Sequence, residues 1–239
     1  MTNEKIQKVL ARAGYGSRRQ IEAWIQAGEV HVNDHLATLG ERIGSQDRVY
    51  LRGELCDRLT QQIETRVLVY HKPEGEICTR HDPEGRATVF DHLPRLSEGR
   101  WINVGRLDFL TSGLLLFTND GELAHRLMHP SSDLEREYRA RVMGRPTPAQ
   151  LNALKTGVLL EDGTAHFETF IDEGGEGLNH WYRVTVREGR NRLVRRLFES
   201  QDLRVNRLIR VRFGSLQLPS TLAPGHWHEI SQEKLNGLI

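Results

Sequence analysis

The 239-residue sequence predicts an α+β protein, with a small N-terminal module ahead of a larger, strand-rich domain. Three observations carry this. Strand-like segments cluster instead of alternating with long helices, as a doubly wound fold would require. Neither GxGxxG nor GxxxxGK[ST] occurs, so the phosphate-cradling turns of nucleotide folds are absent. Finally, two short amphipathic segments followed by brief strands fill the first 55 residues.

In that opening stretch Ile6, Val9, Leu10 and Ala13 have helical spacing, and Gly14 supplies a stop. Ser17 and Gln20 fit a capping box for a second helix. Ile21, Trp24 and Ile25 form its apolar stripe, and Gly28 ends it. VHVN and DRVYLRG read as strands on either side of the polar turn NDH. Residues 53–66, GELCDRLTQQIETR, lack a persistent apolar stripe and read as a linker. The second domain then offers strands at Val67–His71, Trp101–Val104, Leu114–Thr118, Tyr138–Met143, Phe167–Ile171, Trp181–Val186 and Val205–Phe213. Helices are expected at Glu122–His129, at Pro148–Lys155 behind the Thr147 cap, and at Arg192–Ser200. The organisation expected is therefore 1–60 for the first domain with its linker and 61–239 for the second.

Composition bounds the function. Apolar residues make up 38% and charged residues 27%, which suits a globular chain and argues against wholesale disorder. The net charge of +1 announces no polyanionic partner, so any such evidence must come from local clusters. Cys56 and Cys78 are far apart and form no CxxC, so neither a disulfide scaffold nor a zinc knuckle is expected. The opening MTNEKIQKVL has no signal-peptide core, and no stretch approaches the roughly 20 apolar residues of a membrane span. A cytoplasmic protein without membrane contact is the expectation.

Two charge patterns point to chemistry. In VGRLDFLTSGLLLF, Asp108 stands between apolar runs, two residues after Arg106. A buried lone carboxylate is costly, so such a group is neutralised, paired or used. The late segment EGRNRLVRRLFESQDLRVNRLIRVRFG carries Arg190, Arg192, Arg195, Arg196, Arg204, Arg207, Arg210 and Arg212 against few acids. Arginine makes bidentate contacts to phosphate and carboxylate, so this density favours an anionic polymer or a paired active-site acid over a merely solvated face. Lys5, Lys8, Arg12, Arg18 and Arg19 give the first domain a second basic face, diluted by Glu4, Glu22 and Glu29. Tyr138, within EREYRARV, is either a packing residue or a platform for a base. His125 and His129 have HExxH spacing without its Glu or a third ligand, so no metal site is expected.

GRLDFLTSGLLLFTNDGELAHRLMHP resembles the catalytic motif of the RsuA-type pseudouridine synthases, and EREYRARV and EGRNRLVRRLF resemble that family's second and third motifs. LARAGYGSRRQIEAWIQAGEVHVN is similar to an S4-type RNA-binding domain, the usual companion. The stretch YHKPEGEICTRHDPEGRATVFDHLP resembles the branch acting on 23S, large-subunit ribosomal RNA, of the type modifying uridine 2605. The resemblance implies a mixed, mainly antiparallel catalytic sheet. It implies that Asp108 is the catalytic aspartate, that Arg106 helps place the loop or the flipped base, and that Tyr138 packs on that base. It implies further that Arg195 pairs with the aspartate, and that Leu193 and Val194 wall the pocket. Leu110 stands where the family commonly has a small polar residue, so the turn after Asp108 is expected to lose a side-chain hydrogen bond. The partner implied is ribosomal RNA, as 23S RNA or a large-subunit assembly intermediate, met by a monomer.

Moving uracil from a nitrogen to a carbon link gains and loses no atoms, so neither metal nor cofactor is expected. The target must leave its stack, at a cost of a few kcal/mol that basic surface and a stacking aromatic offset. Asp108 would act as a nucleophile at the sugar or as a base on a sugar proton. A non-catalytic ribosome-assembly factor is the alternative, with Asp108 structural and the arginines binding RNA. Small-subunit RNA is the alternative substrate. A metal-dependent nuclease would need carboxylate or histidine clusters that the sequence lacks.

Overall fold

Apolar spacing and capping build the first unit as the sequence predicts. The computed structural model describes residues 3–59 and 63–236. In the first unit, helices α1 (Ile6–Arg12) and α2 (Arg18–Gln26) pack together. Both arms of the Ser17/Gln20 capping box are present. Each helix ends in a Schellman turn on a positive-φ glycine: Tyr15 N donates to Leu10 O at 3.1 Å, and Glu29 N to Trp24 O at 2.9 Å. Strands β1 (Glu4–Lys5), β2 (Val30–Val32), β3 (His35–Leu36), β4 (Arg42–Ile43), β5 (Val49–Leu51) and β6 (Glu54–Leu55) complete it. Four of them form a sheet in the order β3-β2-β5-β6. Ile6, Leu10, Ile21, Ile25, Val30 and Val49 make the core.

The expected linker is partly absorbed into this unit. Glu54–Leu55 pairs with β5, and Cys56 is buried in the core, a role its polar neighbours conceal. Residues 60–62 of that linker lie outside the described residues. The unit comprises the described residues up to Arg66 together with Pro94–Ile102 and Asn119–Gly121.

The second unit comprises Val67–Leu93, Asn103–Thr118 and the described residues from Glu122 onward. Its strands include β7 (Val67–Lys72), β8 (Ile102–Val104), β9 (Thr111–Thr118), β10 (Arg136–Met143), β11 (Val158–Leu160) and β12 (Gly163–Ala165). They continue with β13 (Thr169–Gly174), β14 (Asn179–Val186), β15 (Arg204–Phe213), β16 (Leu216–Gln217) and β17 (Trp227–Glu229). Helices α3 (Gly121–Met128), α4 (Pro148–Thr156), α5 (Leu193–Glu199) and α6 (Gln232–Asn236) are interspersed. The large sheet runs β13-β14-β10-β15-β9-β7-β17, and of these pairings only β15 with β9 is parallel. The sheet is thus mixed and mainly antiparallel.

Central β9 is buried along nearly its whole length, which its run GLLLF dictates. Leu114, Leu115, Leu116 and Phe117 are fully enclosed, each contributing about 1.5–3 kcal/mol relative to exposure. Gly113 lets β15 approach at this point. A Cβ there would lie 2.2 Å from Arg210 O, and its φ is +106°. β10 alternates strictly, with Arg136, Tyr138, Ala140 and Val142 buried. Helix α5 turns Leu193, Val194, Leu197 and Phe198 inward, and Phe198 meets Phe167, Phe170 and Tyr182.

Candidate active site

A turn leading into β9 presents Asp108, and five groups hold its backbone. Thr111 N donates to Asp108 O at 3.0 Å, and Gly75 N to Phe109 O at 2.9 Å. Cys78 Sγ donates to Leu107 O at 3.3 Å. Lys72, at the end of β7 and 0% exposed, spends its ammonium on the same turn. Its Nζ donates to Asp108 O at 3.1 Å, Thr111 O at 2.9 Å and Pro73 O at 2.9 Å. Three donors meet three acceptors, so the group is fully satisfied without a carboxylate. Burial pushes the Lys72 pKa below its usual value, against the pull of Cys78, Glu76 and Asp108.

The fifth hold comes from α5. Arg195, 5% exposed, donates from Nη2 to Leu110 O at 2.7 Å and from Nη1 to Val205 O at 2.8 Å. These Arg195 hydrogen bonds go to backbone carbonyls and not to the Asp108 carboxylate. The guanidinium reaches the Asp108 turn from 85 positions away and grips the backbone two residues past Asp108. Burial lowers the Arg195 pKa, as does Arg192, while the Asp108 charge opposes them. Arginine nonetheless stays cationic. Leu110 is 55% exposed, so its side chain contributes no bond to the turn, and its carbonyl carries the link instead.

No ion pair or hydrogen bond among the described residues engages the Asp108 carboxylate. It is half-buried and faces a cavity of about 510 Å³. Arg106, Asp108 and Tyr138 line this cavity together with Arg190, Arg192 and Arg210. Leu193 and Val194 supply part of its wall. Tyr138, 9% exposed, sits opposite Arg210 in the β10–β15 register. Arg136 also lines the cavity. Its guanidinium lies 5.2 Å from the Phe213 ring centre, and that of Arg210 lies 5.4 Å from the same ring. Arg136 donates to Arg187 O at 2.5 Å, and Arg210 Nε to Leu114 O at 2.7 Å. Burial lowers the Arg136 pKa, and Arg210 adds to that. The cavity therefore offers one free carboxylate, an aromatic ring, apolar walls and fixed cations. A flat, neutral base attached to an anionic backbone fits such a lining.

The remaining arginines singled out from the sequence divide sharply. Arg190 pairs with Asp162 at 2.9 Å and Glu188 at 2.7 Å, and Arg196 with Asp162 at 2.8 Å. Arg212 pairs with Glu135 at 3.0 Å and Glu137 at 3.3 Å, and Arg192 with Glu199 at 3.2 Å. Arg196 and Arg212 do not line the cavity. In the first unit Lys8 and Arg12 both reach Glu4 at 2.7 Å, while Lys5, Arg18 and Arg19 are exposed. Sequence reasoning does not single out Lys72 or Arg136. A signal for Lys72 does exist, as a lysine closing the apolar strand VLVYHK just before Pro73.

Among the described residues no group of three or more His, Cys, Asp or Glu side chains is arranged to hold a metal. No helix of the described residues is long and apolar enough to cross a membrane.

Comparison with known proteins identifies the family. Residues 66–200 match the family model described as RNA pseudouridylate synthase, and residues 4–49 match the S4 domain. The chain is 58% identical over 238 residues to ribosomal large subunit pseudouridine synthase B of Haemophilus influenzae, covering 98% of this chain and 67% of that protein. It is 57% identical to the Pseudomonas aeruginosa protein of the same name, covering 98% of this chain and 61% of that one. For the protein of that name from Escherichia coli K12 the identity is 56%, covering 99% and 82%. The chain thus spans between 61% and 82% of the length of these relatives. A solved pseudouridylate synthase shares the fold with a TM-score of 0.68 at 24% identity, covering 99% of this chain and all of that one. On these matches the chain belongs to the RNA pseudouridylate synthase family and carries an S4 domain ahead of the synthase domain.

Proposed function

We propose that this protein isomerises one uridine of large-subunit (23S) ribosomal RNA to pseudouridine, of the type at position 2605, with Asp108 as the essential group. The observation that carries the reading is the Asp108 carboxylate itself. It faces the cavity with no partner among the described residues, while its backbone is tied by Lys72 and its turn by Arg195. A structural carboxylate would be expected to spend its oxygens on the fold.

In this reading the flipped uridine lies against Tyr138, and Arg106 at the cavity lining takes part in placing it. Attack on the sugar and removal of a sugar proton both need an ionised, correctly aimed carboxylate. Lys72 and Arg195 aim it by fixing the turn. The apolar wall excludes water while the detached base turns. Lys5, Arg18 and Arg19 of the first unit are exposed and track RNA phosphates, and the protein acts as a cytoplasmic monomer on 23S RNA or an assembly intermediate. The domain division proposed is 1–60 and 61–239, with the S4 match inside the first part and the synthase match inside the second.

Mapping pseudouridines in ribosomal RNA by carbodiimide-blocked primer extension, with and without the protein, tests the reading. One new stop in large-subunit RNA is expected. An unchanged pattern in all ribosomal RNA would favour the non-catalytic assembly factor, and a stop in small-subunit RNA would move the substrate.

A further inference from the structure

The large sheet has a second face, away from the cavity. Along β10, Glu137, Arg139 and Arg141 point there, alternating with the buried Arg136, Tyr138, Ala140 and Val142. Cross-strand partners share a face, so Trp181 and Arg207, both opposite Arg141, lie there too. One end of this face is electrically closed. Glu173 accepts from Arg139 Nε at 2.6 Å and Arg183 Nε at 2.7 Å, and Arg212 meets Glu135 and Glu137.

The other end is open. Its cross-strand row reads Trp181, Arg141, Arg207. No hydrogen bond or ion pair among the described residues engages the Arg141 guanidinium, and that of Arg207 has only Glu74 at 3.9 Å. Like charges directly opposite each other on neighbouring strands destabilise a sheet. Arg139, Arg183 and Arg212 each have a carboxylate at 2.6, 2.7 and 3.0 Å, so the open pair stands apart. Two guanidinium forks side by side match a phosphate, which would relieve their repulsion. Trp181 bounds the row, its ring already covered by Arg139 at 5.0 Å.

We propose that Arg141 and Arg207 form a second RNA-contact site that grips a backbone phosphate on the face opposite the cavity. The proposal rests on the reading that RNA is the substrate. It also answers a question that reading leaves, since Arg190, Arg196 and Arg212 are occupied by acids of the chain itself. Arg207 and Leu208 are consecutive on β15, and Leu208 lines the cavity. The two sites therefore lie on the two sides of one strand. The phosphate gripped outside belongs to a different segment from the reacting nucleotide, in a folded RNA large enough to reach round the sheet.

The test uses the full chain and the double variant Arg141→Gln/Arg207→Gln. Affinity is measured against KCl concentration for a long large-subunit RNA fragment and for a short stem-loop holding the target uridine. On the long RNA the log–log slope of the variant is expected to be shallower by roughly 0.7–0.9 for each phosphate it no longer neutralises. On the stem-loop the two proteins should share one slope, and Arg141→Lys/Arg207→Lys should recover most of the long-RNA slope. Equal slopes on the long RNA would overturn the proposal. So would a clearly lowered melting temperature in the Gln variant, which would make the pair structural; relief of repulsion predicts an unchanged or raised one. Parent protein that shows the steeper slope yet releases no tritium from 5-tritiated uridine would sink the isomerase reading alone and leave this site standing.

Discussion

Lys72→Met removes the central tie of the turn that carries Asp108 while keeping an unbranched side chain of similar length. The ammonium makes three hydrogen bonds of 2.9–3.1 Å to carbonyls. Asp108 O keeps a second donor, the amide of Thr111. Pro73 O and Thr111 O lose a charged donor in a fully enclosed place, at about 1–3 kcal/mol each. Against this, the variant no longer buries an ammonium, a relief of comparable size to one of those bonds. The expected net destabilisation is about 1–3 kcal/mol. Chemistry should suffer more than folding, because a shift of about 1 Å in a reacting group can cost on the order of 100-fold in rate. Urea unfolding gives the first quantity. Tritium release from 5-tritiated uridine at saturating RNA gives the second. A Lys72→Met protein with parental stability and parental turnover would refute the claim that this lysine aims Asp108.

Three further outcomes follow from the same contacts. Arg195→Ala frees the carbonyls of Leu110 and Val205 and should lower stability by about 2–4 kcal/mol and cut turnover; a stable, active variant would remove Arg195 from the turn. Gly113→Ala forces a methyl against Arg210 O at a positive φ and should cost more than about 3 kcal/mol, read as a drop in melting temperature; a neutral effect would contradict the β9–β15 approach. Burial works to raise the Glu173 pKa, but hydrogen bonds from Arg139 and Arg183 outweigh it and leave the folded value lowered. Glu173 thus contributes stability above its unfolded value of 4.5, lost as pH falls through the folded value. Glu173→Gln should be less stable than the parent at neutral pH, with the gap closing on acidification; a gap constant with pH would contradict the assignment.

Much of the fold is legible in the sequence because local signals and tertiary packing agree. Ser17, Gln20 and Gly28 mark a helix whose cap and stop are both formed. The run GLLLF marks a strand flanked on both sides, and EREYRARV alternates as a strand with one covered face should. The β11–β12 hairpin, which turns at Glu161–Asp162, is not legible because Leu159 and its neighbours alternate too briefly to register. More than a hairpin is hidden there. Asp162 is the acid that occupies Arg190 and Arg196, so counting charges along the chain overstates the free arginines. The same holds for Arg212, whose carboxylates lie some 75 positions earlier on a neighbouring strand.

At the site, motifs single out Asp108, Arg106 and Tyr138, and the structure brings them to one cavity. The partner of Arg195 is not legible. A guanidinium can serve a carboxylate or a carbonyl, and only the path of the turn decides which lies within reach. Lys72 escapes notice because a lysine in sequence reads as surface, and only three inward-facing carbonyls make its burial tolerable.

The most direct measurement is tritium release from large-subunit RNA by Asp108→Asn, with RNA affinity and urea unfolding followed in parallel. Because no bond among the described residues depends on the Asp108 carboxylate, folding and binding should stay close to parental while release falls to background. Release near the parental rate, or a loss of activity explained wholly by unfolding, would contradict the account.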